Sequence, residues 1–317
     1  MTAWILRTLA AVGGSAALCV AAVAVAAAVP PNDIPAPVFT DPPADSAHPA
    51  SSLAAQFRSH GELINAQVYR PPGAGLHPTV VLLHGLPGNE QNLDLAQVIR
   101  RAGWTVITFH YRGSWGSGGK FTLRGGVDDA AALLAQLRNP ATAESWGVDP
   151  GKIVLLGHSY GGFVAARAAV DAIGVIGVAL LAPWDPSSTE RAWHNLSAAS
   201  RKSAALAAFD DVDGRLAGAT AWSLMGEVVR DGAGLDLARL AVPLSRQPLL
   251  VITASRDTDD DKALALLLAL RKADATNLIA KSMDADHAFN TARIALEVSV
   301  LQWLSALPGA PVPYSTR

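Results

Sequence analysis

The stretch Ile153-Val154-Leu155-Leu156-Gly157-His158-Ser159-Tyr160-Gly161-Gly162 decides how this chain reads. A short, continuous apolar run bounded by glycine predicts a buried strand, and the apolar pattern of residues 163–170 predicts a helix after it. A Gly-x-Ser-x-Gly step between such a strand and helix is a nucleophile elbow, in which the serine occupies a sharp, strained turn. Gly157 and Gly161 lack a Cβ, so strand and helix can approach closely. The turn would lift Ser159 Oγ off the sheet edge, over a helix N-terminus that favours developing negative charge.

Working outward, apolar runs at 79–83, 105–109, 175–181, 249–253 and 278–282 read as further strands, with an earlier one at 66–69. Helical patterns at 93–102, 128–137, 264–270 and 292–304 fall between or after them. Asp128 and Asp129 are expected in the first turn of their helix, where the dipole favours acids. Short apolar strands separated by helices indicate an α/β fold, a mainly parallel sheet covered on both faces. The globular domain is expected over 51–317, interrupted at about 184–247 by a segment without a clear strand. A connection of that length is commonly functional, and it reads as a helical lid. Trp184, Trp193 and Trp222 are candidate substrate-binding residues there, beside Phe209 and Met225.

Of 317 residues, 50% are hydrophobic and 16% charged, enough apolar material for one large core. The formal net charge of -2, with no basic stripe, excludes a nucleic-acid binder and points to a small-molecule partner. Residues 1–29 carry Arg7, an apolar run at 8–29 and the small residues Ala26-Ala27-Ala28. That pattern predicts an export signal or a retained membrane anchor, with the domain outside the cytoplasm. Residues 30–50 are rich in proline and read as an extended tether. The single cysteine, Cys19, lies within the first segment, so no disulfide is expected in the domain.

A serine hydroxyl is a weak nucleophile at neutral pH and needs a base, which in turn needs an orienting acid. Among eight histidines, His287 follows the last predicted strand, whereas the others lie earlier or inside the elbow. Asp257 follows the strand at 249–253 after a short loop, at the carboxyl edge where open α/β sheets assemble sites. Asp259, Asp260 and Asp261 compete with it, but better suit the start of the next helix. For the oxyanion, His84-Gly85-Leu86-Pro87-Gly88 follows the strand at 79–83, so the Leu86 N–H and Tyr160 N–H are the predicted oxyanion-hole donors. Neither a metal-ligand spacing nor a dinucleotide fingerprint occurs, and no cofactor is inferred.

With these residues in place, the chain resembles a serine hydrolase of the α/β-hydrolase superfamily over about residues 63–304. The order Ser159, Asp257, His287 is the order of that superfamily. Tyr111-Arg112-Gly113-Ser114-Trp115-Gly116-Ser117-Gly118-Gly119 further resembles a loop of the prolyl-oligopeptidase and acylaminoacyl-peptidase branch and of related bacterial esterases. The resemblance implies an α/β-hydrolase fold and hydrolysis of a carboxylic ester through an acyl-Ser159 intermediate. The β-propeller of the peptidases has no counterpart ahead of the domain, which weighs against oligopeptide substrates. An amidase or short-peptide peptidase with the same triad is the alternative, and a non-catalytic binding protein on the same fold is a third.

Overall fold

The computed structural model describes residues 24–25, 33–170, 172–257 and 260–312, without the side chains of 24–25 and 260–262. Strand β1 (Ala24–Val25) is followed by β2 (Ser51–Ser59), β3 (Glu62–Arg70), β4 (His77–Leu83), α1 (Leu93–Arg101) and β5 (Thr105–Phe109). Helices α2 (Leu123–Leu137) and α3 (Pro140–Trp146) lead to β6 (Val148–His158), α4 (Tyr160–Ala169) and β7 (Val175–Leu181). The insertion then supplies α5 (Pro186–His194), α6 (Ala198–Ala208), α7 (Ala221–Asp231) and α8 (Ala241–Leu244). Strand β8 (Leu249–Ala254), α9 (Asp260–Lys272), β9 (Leu278–Met283) and α10 (Arg293–Ser305) complete the order.

The sheet runs β1-β9-β8-β7-β6-β4-β5-β3-β2. Only the β2/β3 and β3/β5 pairs are antiparallel; the others are parallel, as expected for an α/β-hydrolase fold. Alternation along the strands sorts their side chains to two cores. Val81, Leu83, Ile153 and Leu155 pack with Leu133 of α2, Phe163 of α4 and Leu266 of α9. Val80, Leu82, Val154 and Leu156 pack on the opposite face with Ile99 of α1 and Val300 of α10. Each fully buried aliphatic side chain of this kind contributes about 1.5–3 kcal/mol.

Two local readings differ from expectation. Helix α2 starts at Leu123, so Asp128 and Asp129 fall beyond its first turn. Thr122 Oγ1 accepts the Gly125 N–H instead, and Asp129 is buried against Arg112. The proline-rich segment also touches the domain where it is described. A 3-10 turn at Ala36–Val38 lies beside α1 and is gripped by Arg101, which donates to the carbonyls of Pro37 (2.5 Å) and Val38 (3.3 Å). The expected export segment, apart from Ala24 and Val25, lies outside the described residues. Among the described residues, no helix is long and apolar enough to cross a membrane.

Candidate active site

Strand β6 ends at His158, and α4 begins one residue after Ser159. Ser159 occupies φ 56°, ψ -120°, a conformation that non-glycine residues rarely adopt and that costs about 1–3 kcal/mol. The neighbouring backbone fixes it there. Ser159 N–H donates to the Leu181 carbonyl (2.9 Å), and Ser159 O accepts from Gly162 and Trp184 N–H. A Cβ on Gly157 would overlap the Gly161 carbonyl, and one on Gly161 would overlap that of Leu83. The two glycines therefore allow the strand–helix approach that a tight elbow needs. Ser159 itself is half-buried.

Asp257 and His287 meet because the strands that precede them are paired. In the β8/β9 register Ala254 faces Met283. Ser255 N–H then donates to Met283 O (2.8 Å) and Arg256 N–H to Ala285 O (3.0 Å), so the two following loops leave the edge together. Asp257 and His287 stand next on those loops. His287 Nδ1 and Asp257 Oδ2 are 2.5 Å apart, with the Asp257 side chain 7% exposed and that of His287 38%. An ionised carboxylate on Nδ1 selects the tautomer that leaves Nε2 free to accept a proton.

His158, the residue before Ser159, ties the His287 loop to the elbow. Its Nε2 donates to the His287 carbonyl (2.8 Å), and the two rings lie 4.9 Å apart. Burial, and secondarily the neighbouring His287 ring, holds His158 down to a pKa of about 4, so it is neutral at pH 7. Among the described residues no hydrogen bond joins Ser159 Oγ to His287 Nε2. Such contacts are often long without substrate and tighten in the Michaelis complex.

Of the two expected oxyanion donors, Tyr160 directly follows the serine and Leu86 follows Gly85, which lies close to it. Tyr160 is the first residue of α4, so its N–H has no acceptor within the helix. The Leu86 segment is brought close at Gly85, where an added Cβ would lie 3.0 Å from that of Ser159. His84 anchors this segment: its Nδ1 bonds the Gly85 carbonyl (2.7 Å), and its own carbonyl accepts from Tyr111 Oη (3.0 Å). Burial likewise lowers its pKa to about 4. Among the described residues, no group of three or more His, Cys, Asp and Glu could hold a metal ion.

The lid tryptophans separate. Trp184 (7% exposed) and Trp193 (8%) pack edge-on against Phe209, with centroids 5.9 and 6.1 Å away. Both rings join the core beneath the lid, together with Met225. Trp222 stands apart on α7, 54% exposed. Asp259 and the side chains of Asp260 and Asp261 lie outside the described residues. The role of His158, the Trp115 Nε1–H bond to Pro87 O (2.8 Å) and the Arg112–Asp129 pair escaped sequence reasoning. The Tyr-Arg-Gly-Ser run was the visible signal for Arg112 and Trp115, and the Gly-x-Ser-x-Gly elbow for His158.

Comparison with known proteins identifies the family and the fold. A family model described as "Alpha/beta hydrolase family" matches residues 80–299. A lysophosphatidylserine lipase of Danio rerio is 30% identical over 106 residues, covering 32% of this chain and 26% of the lipase. The chain thus matches only about a quarter of that relative's length. Among solved structures, an esterase of Pyrococcus furiosus superposes with a TM-score of 0.57 at 16% identity, covering 84% of this chain and 99% of that one. An acylaminoacyl peptidase of Pyrococcus horikoshii gives a TM-score of 0.60 at 16% identity, covering 84% and 43%. At these identities the structural likeness concerns the fold.

Proposed function

The chain belongs to the alpha/beta hydrolase family, and we propose that it is a serine esterase acting on a small carboxylic ester. The observation that carries this reading is the 2.5 Å contact between Asp257 and His287, on the same sheet edge as the strained Ser159. Ser159 Oγ attacks the ester carbonyl carbon while His287 Nε2 takes its proton. Asp257 holds the imidazolium that forms. The carbonyl oxygen, now an anion, accepts hydrogen bonds from the Leu86 and Tyr160 N–H groups, each worth about 3 kcal/mol at the transition state. Collapse breaks the carbon–oxygen bond of the ester, and His287 returns the proton to the leaving alcohol. Water, deprotonated by His287, then attacks the acyl-serine, releasing the acid and restoring Ser159.

The test is hydrolysis of p-nitrophenyl acetate and butyrate together with intact-mass labelling by a fluorophosphonate. One adduct on the wild type and none on Ser159→Ala is expected, with kcat falling by about 10⁶ in Ser159→Ala and in His287→Ala. Near-wild-type turnover by either variant would falsify the assignment. The same acyl group presented as an anilide separates the readings of substrate: appreciable anilide turnover would make the enzyme an amidase.

A further inference from the structure

A cavity of about 390 Å³ opens beside the oxyanion segment, and its lining contains none of Ser159, Asp257 and His287. Strand β3 turns Ile64, Ala66 and Val68 into one core, so Asn65, Gln67 and Tyr69 project from the opposite face into this cavity. Pairing with β5 sets Gln67 opposite Thr108, and the His110 N–H donates to Asn65 O (3.0 Å), which places Thr108 and His110 alongside. Gln91, just ahead of α1, and Trp115, from the glycine-rich loop, complete the rim.

The chemistry of this lining is narrow. Apart from Ala66 it contains amides, hydroxyls, an imidazole and an indole, and no Asp, Glu, Lys or Arg. Asn65 Oδ1 already accepts from Gln56 Nε2 (2.9 Å), but an apolar ligand would leave the Gln67 and Gln91 amides without partners, and an anion would find no cation. His110 Nδ1 is buried and has no protein partner. Burial lowers the pKa of that ring, so at neutral pH it offers one donor and one acceptor. Trp115 is 45% exposed, and its single N–H is engaged by Pro87 O, so what it presents outward is the ring itself.

We propose that this cavity binds a neutral polyhydroxylated ring, a saccharide or cyclic polyol. The Asn65, Gln67 and Gln91 amides bond its adjacent hydroxyls, and the Trp115 ring covers its C–H face. Amides donate and accept in one plane, which matches neighbouring hydroxyl groups, while an aromatic face suits the C–H side of a sugar. The site is distinct from the ester-cleaving residues and does not rest on that activity. It reaches them through two contacts. Trp115 holds the Pro87 carbonyl next to Leu86, and the His110 ring lies 5.4 Å from that of His84.

Calorimetric titration of the full chain in the Ser159→Ala background, with glucose, xylose, cellobiose and myo-inositol as probes, tests the proposal. Saturable binding of at least one probe is expected. Trp115→Ala should weaken it by roughly tenfold, as expected for a lost stacking contact. Gln67→Leu, which keeps the exposed ring, should weaken it as well. Glucose 6-phosphate should bind no more tightly than glucose. No saturable binding by any probe overturns the proposal, as does binding that neither substitution weakens. A clear preference for the phosphate ester overturns its claim of a neutral ligand. Loss of esterase activity alone would leave this binding untouched, so the two readings fail separately.

Discussion

Replacing His158 with leucine should slow the enzyme without unfolding it. The His158 ring is 4% exposed and touches the His287 ring at 4.9 Å, and its Nε2 donates to the His287 carbonyl at 2.8 Å. Leucine fills much of the same volume but offers no donor. The half-buried carbonyl then loses its partner, at a cost of about 1–3 kcal/mol, and relaxes toward water. Because that carbonyl belongs to His287, the proposed base, the imidazole moves with it. A displacement near 1 Å costs on the order of 100-fold in rate. We therefore expect kcat for p-nitrophenyl butyrate, and the rate of phosphonate labelling, to fall about 10–100-fold with KM nearly unchanged. His158→Gln places an amide nitrogen near the position of Nε2 and should restore most of that loss. Urea unfolding of both variants measures the structural part separately. A leucine variant within threefold of wild-type kcat would refute the positioning role. Equal losses in the leucine and glutamine variants would assign the effect to packing.

Two further outcomes follow from buried polar groups. His84 and His158 are bases held uncharged by burial, with pKa values of about 4 against 6.5 when unfolded. Between those values the unfolded chain binds more protons, so stability should fall as pH drops from about 6.5 to 4, by at most roughly 3 kcal/mol for each histidine. Urea midpoints at pH 7, 5.5 and 4.5 would show it, and a flat profile would count against burial of these rings. Arg112→Met should destabilise the fold by about 3–5 kcal/mol, because Asp129 is 0% exposed and loses its charge-balancing partner at 2.6 Å. That corresponds to a fall in Tm of roughly 6–20 °C by calorimetry, and a change under 1 kcal/mol would contradict the buried pair.

Much of this was legible in the sequence wherever a buried strand reads as an unbroken apolar run. Strands β5 and β7 fall on the expected residues, and Ser159, Asp257 and His287 come to one edge. Strand β2 was missed because it lies at the sheet edge, where only Phe57 and Ser59 of Ser51–Ser59 are buried. Its apolar stripe, Leu53, Ala55 and Phe57, is short and flanked by serines, too weak a signal to mark a strand. The start of α2 was missed because Gly125-Gly126 looks like a break in a helix. The structure gives the reason for Gly126: the Tyr160 phenol passes there to donate to Leu123 O (2.8 Å), where any Cβ would overlap it. That constraint joins two segments far apart in sequence, and no local pattern carries it. The lid tryptophans show the converse. Their aromatic character suggested substrate contact, but Trp184 and Trp193 are placed by the core they fill.

The lid is fastened to the α/β domain by a buried carboxylate as well as by apolar packing. Glu227, on α7, is 8% exposed and accepts the Leu123 N–H (3.0 Å) and the Arg124 N–H (3.1 Å), the first two free amides of α2. Thr122 serves the third, so one end of a framework helix is completed by a residue more than a hundred positions downstream. The insertion is therefore not an exchangeable cassette. A lid grafted from another hydrolase to alter selectivity would leave α2 with two unpaired, largely buried donors unless it carried a carboxylate at the place of Glu227. Selection on the lid is, at that one position, selection on the scaffold.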